Sequence, residues 1–272
     1  MSKEKPAPSI NVELKKNGVA RITLNRPEIH NAFDDRFIRE LTNAIYKINR
    51  NDKIRILAID AAGESFSAGA DLNWMKRMAG YSWEQNYQDS LKLAGLMQEL
   101  HDCCKTTIAI VQGAAYGGGV GLVSCCDIVL ASDQAKFCLS EVKLGLIPSV
   151  ISPYVIKAIG ERNAKRFFAT AEKFDANEAK LIQLVHKIIP HNELSDLSSD
   201  YINRILGNGP RAVYQSKRLV NHVYDKPINE NLVRDTAQRI ADIRASSEGK
   251  EGVSAFLEKR PANWAASSKN EF

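Results

Sequence analysis

The stretch Ala114–Asp127, AAYGGGVGLVSCCD, places three consecutive glycines in front of an apolar segment of helix length. Glycine loses more conformational freedom on folding than any other residue, so such a run marks backbone that turns sharply or closely approaches another group. The residues TIAIV before it and DIVLA after it are typical of buried strands. The stretch therefore predicts a strand, a glycine turn, a buried helix and a further strand.

A transmembrane segment is the alternative for this region, since Thr106–Cys126 carries no formal charge and is long enough to span a bilayer. Gln112, Ser124 and the glycines lower its hydrophobicity, and the glycines would interrupt a helix. We expect no membrane span here, and interpret the segment as a buried strand, a turn and a buried helix.

On both sides of this region the pattern alternates strands with helices. Ile10, Val12 and Leu14 alternate before the turn KNG and the strand VARITL, which predicts a hairpin. Ser82 and Gln85 have capping-box spacing at the start of a long helix. After about Glu193 only helices are predicted. The pattern favours an α/β core followed by a helical C-terminal region.

Composition narrows the classes of function. The 272 residues are 44% hydrophobic and 25% charged, which is typical of a globular chain. The net charge of +5 is spread along the chain without a dense basic block, which favours a small anionic ligand and disfavours nucleic acid. The start, MSKEKPAPS, lacks the apolar core of a secretory signal, and we expect a loose tail.

The cysteines and histidines do not form a recognisable metal motif. The adjacent pairs Cys103/Cys104 and Cys125/Cys126 have neither zinc-ribbon spacing nor the pattern of a disulfide framework, which favours a reducing cytoplasm. The histidines are scattered singly, with no HExxH and no G-x-S-x-G sequence. We expect neither a zinc site nor a serine nucleophile.

Two small-residue turns share one design, because SFSAGADL and AAYGGGVGL each follow a strand and precede a predicted helix. Helix starts leave backbone N–H groups unpaired at the positive end of the dipole, and two of them could form an oxyanion hole. Two alternatives stay open: the glycines allow tight packing, or Gly119 and Gly121 belong to a dinucleotide-binding turn. Against the second, Ser124 occupies the third glycine position and Glu141 does not end an apolar strand.

Glu141 is the candidate base. It lies in KFCLSEVKLGLIP, a strand-like run leading into a turn, where partial burial would raise its pKa and make the carboxylate a better base. The alternative is an exposed acid paired with Lys143.

These motifs, in order over nearly the whole chain, resemble the crotonase family of enoyl-CoA hydratases and isomerases. The resemblance is carried by ITLNRPEIHNAF, SFSAGADL, QGAAYGGGVGL, CDIVLASDQAKF, SEVKLGLIP and EGVSAFLEKRPANW. It implies a catalytic core of ββα turns over residues 1–195, with residues 1–9 as the tail, and a helical trimerisation region over residues 196–272. It also implies a coenzyme A thioester as substrate, no metal or separate cofactor, and a homo-oligomer that is a trimer or a dimer of trimers.

The resemblance assigns roles position by position. Ala70 and Gly118 would supply the two oxyanion N–H groups, and Glu141 would be the catalytic acid–base. Phe256 and Lys259 match positions that can reach the ligand of a neighbouring subunit. The positions that match the family's coenzyme A pocket are Glu28, Ile29, His30, Ala32, Ala68, Asp71 and Leu72.

One departure affects the expected reaction. Well-known hydratases hold water between two glutamates, but this chain matches only the second, Glu141, and has Gly121 at the first position. We expect hydration of a 2-enoyl-CoA, because CLSEVKLGLIPSVISPYVIKAIGER is most similar to bacterial hydratases of the methylglutaconyl type. The alternatives are a Δ3,Δ2-enoyl-CoA isomerase and a non-catalytic acyl-CoA or RNA-binding protein. For a substrate carboxylate, the candidate counter-ions are Lys76, Arg77 and Lys143.

Overall fold

Two β-sheets and eleven α-helices build the part of the chain that the computed structural model describes, residues 7–266. The strands are β1 (Ile10–Leu14), β2 (Val19–Leu24), β3 (Ile56–Ala61), β4 (Thr106–Val111), β5 (Ala114–Tyr116), β6 (Ile128–Ser132), β7 (Lys136–Cys138), β8 (Phe174–Asp175) and β9 (Lys187–Ile189). The helices are α1 (Asp35–Asn49), α2 (Leu72–Met78), α3 (Trp83–His101), α4 (Gly118–Cys125), α5 (Ser152–Thr170), α6 (Ala176–Leu181), α7 (Leu194–Leu206), α8 (Pro210–Val223), α9 (Glu230–Ala245), α10 (Ser247–Leu257) and α11 (Asn263–Ala266).

The larger sheet has the strand order β1-β2-β3-β4-β6-β9. β1 pairs with β2 antiparallel, and the other neighbours pair parallel, so the predicted hairpin and α/β class are confirmed. Both faces of the sheet are covered. On β3, Leu57 and Ile59 face a core that includes α1 and α3, whereas Ile56 and Ala58 face α7. Such two-sided burial explains why these parallel strands are continuously apolar in sequence.

The smaller sheet, in the order β5-β7-β8, lies beside the predicted glycine turn. Two isolated parallel bridges extend it, one between Ser67 and Ala115 and one between Phe33 and Ala70. Through these bridges the segments that follow β2, β3 and β4 meet side by side. This arrangement brings SFSAGADL against AAYGGGVGL.

Local sequence signals account for several helix boundaries. The capping box at α3 is confirmed, because Ser82 and Gln85 exchange side chain to backbone hydrogen bonds. At the start of α6, the Asp175 carboxylate accepts the Glu178 N–H at 3.0 Å. Within α5 the backbone is non-helical at Gly160, where φ is 77°, which divides the two apolar segments.

The apolar stretch around the glycines forms β4, β5 and α4 and is buried in the core. No helix within residues 7–266 is long and apolar enough to cross a membrane.

Two predicted boundaries lie close to structural features. The tail predicted over residues 1–9 ends before Ser9, which is buried and donates its N–H to Glu40 at 2.8 Å; residues 1–6 lie outside the described residues. The division predicted between residues 195 and 196 falls inside α7. Leu194, Ile202 and Leu206 of α7 pack on the sheet, and the division into a core and a helical oligomerisation region stays a prediction.

The loop glycine Gly113 is held by a close backbone contact, since a Cβ there would lie 1.8 Å from the Glu64 carbonyl oxygen. We expect Gly113→Ala to lower the midpoint of thermal unfolding sharply, because backbone on both sides must move. The matched control is Gly95 in the exposed face of α3, where a Cβ has no neighbour within 4 Å. Gly95→Ala should stabilise the protein by about 0.5–1 kcal/mol through helix propensity. Equal effects of the two substitutions would contradict this account.

Candidate active site

The backbone N–H of Ala70 points away from Phe33, the residue with which Ala70 forms a parallel bridge. In the parallel bridge with Phe33, the Phe33 N–H donates to the Gly69 carbonyl at 2.7 Å, and the Asp71 N–H donates to the Phe33 carbonyl at 2.8 Å. These two bonds leave the Ala70 N–H on the opposite side. It has no acceptor among residues 7–266. It is therefore free to bind an external oxygen.

Gly118 is the first residue of α4, and its N–H likewise has no acceptor within the described residues. The preceding residue, Gly117, has φ 50° and donates to the Cys138 carbonyl at 2.9 Å. First-turn N–H groups of a helix lack intrahelical partners and lie at the positive end of its dipole. The site thus contains two unpaired donors, which suit an oxygen that develops negative charge.

The glycines also allow the close packing that was the alternative explanation for them. A Cβ at Gly118 would lie 2.5 Å from the Phe33 ring, and one at Gly119 would lie 2.9 Å from the Ser67 carbonyl oxygen. Tight packing and exposed donors therefore occur together. Gly119 packs against Ser67, and Gly121 packs against Ile151 and Met97, which favours the packing explanation over a dinucleotide-binding turn.

The prediction that Ala70 belongs to a helix start is wrong in one respect. α2 begins at Leu72, and the Asp71 carboxylate already accepts the N–H groups of Asn73 at 2.8 Å and Trp74 at 2.9 Å. The first turn of α2 is therefore capped by its own side chain. The Ala70 donor depends on the bridge to Phe33 instead.

Glu141 begins a 3-10 turn, Glu141–Leu144, directly after β7. Its Oε1 would lie 3.3 Å from a Cβ at Gly117, which places the carboxylate beside the residue preceding Gly118. Its Oε2 is buried without a hydrogen-bond partner, and burial raises the pKa of the carboxyl. Among the described residues it forms no ion pair with Lys143, so the expected partial burial is confirmed and the paired surface acid is not.

The position of the missing first glutamate is closed. A Cβ at Gly121 would lie 2.3 Å from Cγ2 of Ile151 and 3.1 Å from Cε of Met97. Both side chains are buried. No second carboxylate fits there without displacing them, so the site has an apolar wall where the second acid would stand.

Two segments bring the remaining predicted pocket residues together. The turn Pro27–Ile29 carries Glu28 and Ile29, and the Ala68 N–H donates to the His30 carbonyl at 2.9 Å. His30, Ala68 and Leu72 are exposed, whereas Ala32 is buried and Asp71 caps α2. These residues border the segment that ends at Ala70.

Phe256 and Lys259 are not brought to this site within one chain. They lie at the end of α10, which packs mainly against α8 and α9, and 82% of the Phe256 surface is exposed. Their assignment to a neighbouring subunit's ligand stays a prediction.

Sequence reasoning missed the side chains that pack against the glycines of α4, which are Phe33 beside Gly118 and Met97 and Ile151 beside Gly121. These three residues are far apart in the chain, so spacing along the sequence carries no signal for them. Within residues 7–266, no group of three or more His, Cys, Asp or Glu side chains could hold a metal ion.

Comparison with known proteins agrees with this geometry. The family model for enoyl-CoA hydratase/isomerase matches residues 14–267. The chain is 32% identical to a short-chain-enoyl-CoA hydratase of Clostridium acetobutylicum over 92% of this chain and 95% of that one. It is 31% identical to the mitochondrial Delta(3,5)-Delta(2,4)-dienoyl-CoA isomerase of Dictyostelium discoideum, over 92% and 89% of the two chains.

A solved structure shows the same fold. The crystal structure of an enoyl-CoA hydratase from Shewanella pealeana superposes with a TM-score of 0.88 at 45% identity, covering 94% of this chain and 96% of that chain. The geometry is consistent with these similarities, since the free N–H groups of Ala70 and Gly118 lie in segments that meet, with Glu141 nearby. The chain belongs to the enoyl-CoA hydratase/isomerase family.

Proposed function

We propose that the protein hydrates a 2-enoyl-CoA thioester. The observation that carries this proposal is the pair of unpaired N–H groups, at Ala70 and Gly118, beside a carboxylate whose Oε2 is buried and unpartnered. Hydrogen bonds from the two donors to the thioester oxygen stabilise negative charge as an enolate forms. Water needs only one base to add at C3, and we assign this role to Glu141.

Glu141 serves twice in the proposed reaction. Its carboxylate takes one proton from water while the hydroxide adds to C3, and the electrons of the C2=C3 bond move onto the thioester oxygen. As the enolate collapses, the same carboxyl gives the proton to C2. The product is a 3-hydroxyacyl-CoA, and the atoms balance with water as the only co-reactant, so we propose no metal or other cofactor.

Two neighbouring segments are proposed to bind coenzyme A. We assign the coenzyme A moiety to the border formed by residues 28–32 and by Ala68, Asp71 and Leu72, next to the Ala70 donor. The positive net charge of +5 favours an anionic ligand of this kind. Phe256 and Lys259, exposed at the end of α10, would reach the ligand of a second copy in a trimer or a dimer of trimers.

The acyl group is proposed to be branched and carboxylated, as in 3-methylglutaconyl-CoA. Of the three candidate counter-ions, Arg77 is already paired with Asp35 at 2.7 Å. Lys76 and Lys143 form no ion pair among the described residues. Lys143 lies in the same 3-10 turn as Glu141, which makes it the better candidate.

The first prediction of the proposed function concerns turnover. With crotonyl-CoA or 3-methylglutaconyl-CoA, the purified protein should reduce the absorbance of the conjugated enoyl-thioester band. Glu141→Gln should lower kcat by about 10²–10⁴-fold, because the general base is lost while the donors remain. Binding of the thioester, measured by calorimetry, should be largely unchanged.

A 3-enoyl-CoA provides the opposing test. Growth of the conjugated band with that substrate, and no loss of the band with the other two, would show isomerisation and refute the proposed hydration. Full activity of Glu141→Gln would refute the role of the carboxylate in either reaction.

The second prediction follows from the raised pKa of Glu141. The base acts only when ionised, so kcat/KM should fall at a higher pH on the acid side than an ordinary glutamate would give. The same shift affects stability, because the protonated carboxyl is favoured in the folded protein. The stabilisation that the protonated Glu141 carboxyl gives the folded protein is present below the pKa of this group in the unfolded chain. It is lost as the pH rises through the pKa of the group in the folded protein.

The measurement compares the unfolding midpoints of the wild type and Glu141→Gln from about pH 4 to about pH 8. The variant should gain stability relative to the wild type as the pH rises, since the amide stays neutral when the carboxyl must ionise. A difference that is constant with pH would contradict the burial argument.

The third prediction tests the substrate carboxylate. Lys143→Ala should raise KM for 3-methylglutaconyl-CoA at least several-fold and leave KM for crotonyl-CoA nearly unchanged. Lys76→Ala, on the exposed face of α2, tests the other unpaired candidate with the same two substrates. Equal losses on both substrates would reject Lys143 as the counter-ion.

A further inference from the structure

The two N–H donors are placed by one shared contact. Ser67 and Ala115 form a parallel bridge, and each donor lies three residues after its member of that bridge, Ala70 after Ser67 and Gly118 after Ala115. The Ser67 N–H donates to the Ala114 carbonyl at 2.9 Å, and the Tyr116 N–H donates to the Ser67 carbonyl at 2.8 Å. The separation of the donors therefore depends on how firmly Ser67 is held.

The Ser67 side chain fixes this segment from the other side. Ser67 is fully buried, and its hydroxyl donates to the Asn31 carbonyl at 2.9 Å. The neighbouring Ala68 N–H donates to the His30 carbonyl at 2.9 Å. The segment before Ala70 is thus held between the turn at residues 30–31 and β5.

Asn31 in turn is locked in an unusual backbone conformation. His30 and Asn31 have φ of 52° and 54°, a region that non-glycine residues adopt only rarely. The fully buried Asn31 amide donates to the carbonyls of Ala62 at 2.9 Å and Ser65 at 2.8 Å, and its Oδ1 accepts the Arg26 N–H at 2.7 Å. Three hydrogen bonds hold the side chain, which keeps the Asn31 carbonyl aimed at Ser67.

We propose that Asn31 and Ser67 are positioning residues that set the placement of the Ala70 N–H relative to the Gly118 N–H. The inference rests on the proposed binding of a thioester carbonyl between these donors. Neither side chain points at the carbonyl, because both are buried and committed to protein partners. Their effect passes through the backbone of residues 67–70.

The two residues should act as one unit. Removal of the Ser67 hydroxyl leaves the buried Asn31 carbonyl without this donor, and removal of the Asn31 amide frees the turn that presents that carbonyl. Either change loosens the same segment, and a displacement of the order of 1 Å at a reacting group can cost about 10²-fold in rate.

The experiment uses Ser67→Ala, Asn31→Gly and the double variant in the full-length protein. Glycine at position 31 tolerates the positive φ, so the backbone path stays accessible while the amide is lost. The control is Asn163→Ala on α5, which also removes an amide bonded to a backbone carbonyl, that of Ile159 at 2.8 Å. Unfolding midpoints show which variants are folded at the assay temperature.

Two readouts separate positioning from a general loss of structure. The first is kcat against KM with crotonyl-CoA. The second is the ¹³C resonance of crotonyl-CoA labelled at C1, bound to the Glu141→Gln forms so that it is not consumed. Hydrogen bonds to the carbonyl move this resonance downfield, so the shift reports how well the donors hold it, whether or not hydration occurs.

We expect Ser67→Ala and Asn31→Gly each to lower kcat by about 10–10²-fold, with a smaller change in KM, and to reduce the bound ¹³C shift. The double variant should be little worse than the poorer single variant. Asn163→Ala should change neither readout. An unchanged shift in folded Ser67→Ala, or fully additive losses in the double variant, would overturn the proposal.

Failure of the positioning proposal can be distinguished from failure of the proposed hydration. If the wild type does not hydrate crotonyl-CoA but Glu141→Gln still shifts the bound carbonyl resonance, hydration fails while the positioning proposal is tested by the shift alone. If the parent Glu141→Gln form shows no downfield shift, the carbonyl does not lie between the donors, and the positioning proposal is overturned.

Discussion

The close approach of two backbone segments, residues 67–70 and residues 115–119, is the constraint on which the site depends. The Ser67–Ala115 bridge joins them, and Gly118 and Gly119 pack so tightly against Phe33 and Ser67 that any side chain would force them apart. Because the contact is made by backbone, its geometry does not depend on rotamers. A pair of N–H donors fixed in this way needs little reorganisation when charge develops between them.

The electrostatics of the site follow from the same packing. The donors are neutral dipoles, one of them at a helix start, and the Glu141 carboxylate is partly withdrawn from water. Withdrawal raises the pKa of Glu141, which makes the ionised form a stronger base at the cost of a narrower pH range in which it is ionised. Removing water also strengthens the hydrogen bonds that the donors can make.

Much of the fold was predictable because its signals are local. Neighbouring residues alone predict the hairpin of β1 and β2, the capping box of α3 and the ends of the buried strands. The glycine run predicted a close backbone contact before an apolar helix, whereas the donor role of Gly118 was implied by the resemblance to the crotonase family. The source of the Ala70 donor was not predictable from local pattern, because the bridge to Phe33 joins residues far apart in the chain.

The same limit applies to Gly121. The resemblance indicates that a carboxylate is missing at Gly121, but the sequence does not show which side chains fill the space. Only the fold brings Ile151 and Met97 next to Gly121. Their presence changes the electrostatics as well as the volume. Two carboxyl groups that share a site titrate as a pair, and neither has a pKa of its own. Here the apolar side chains of Ile151 and Met97 stand where the second acid would be, so Glu141 has no paired carboxyl at that position. In the proposed hydration, the proton that leaves water therefore has Glu141 as its acceptor, and the position of this carboxyl relative to C2 would decide where the proton returns.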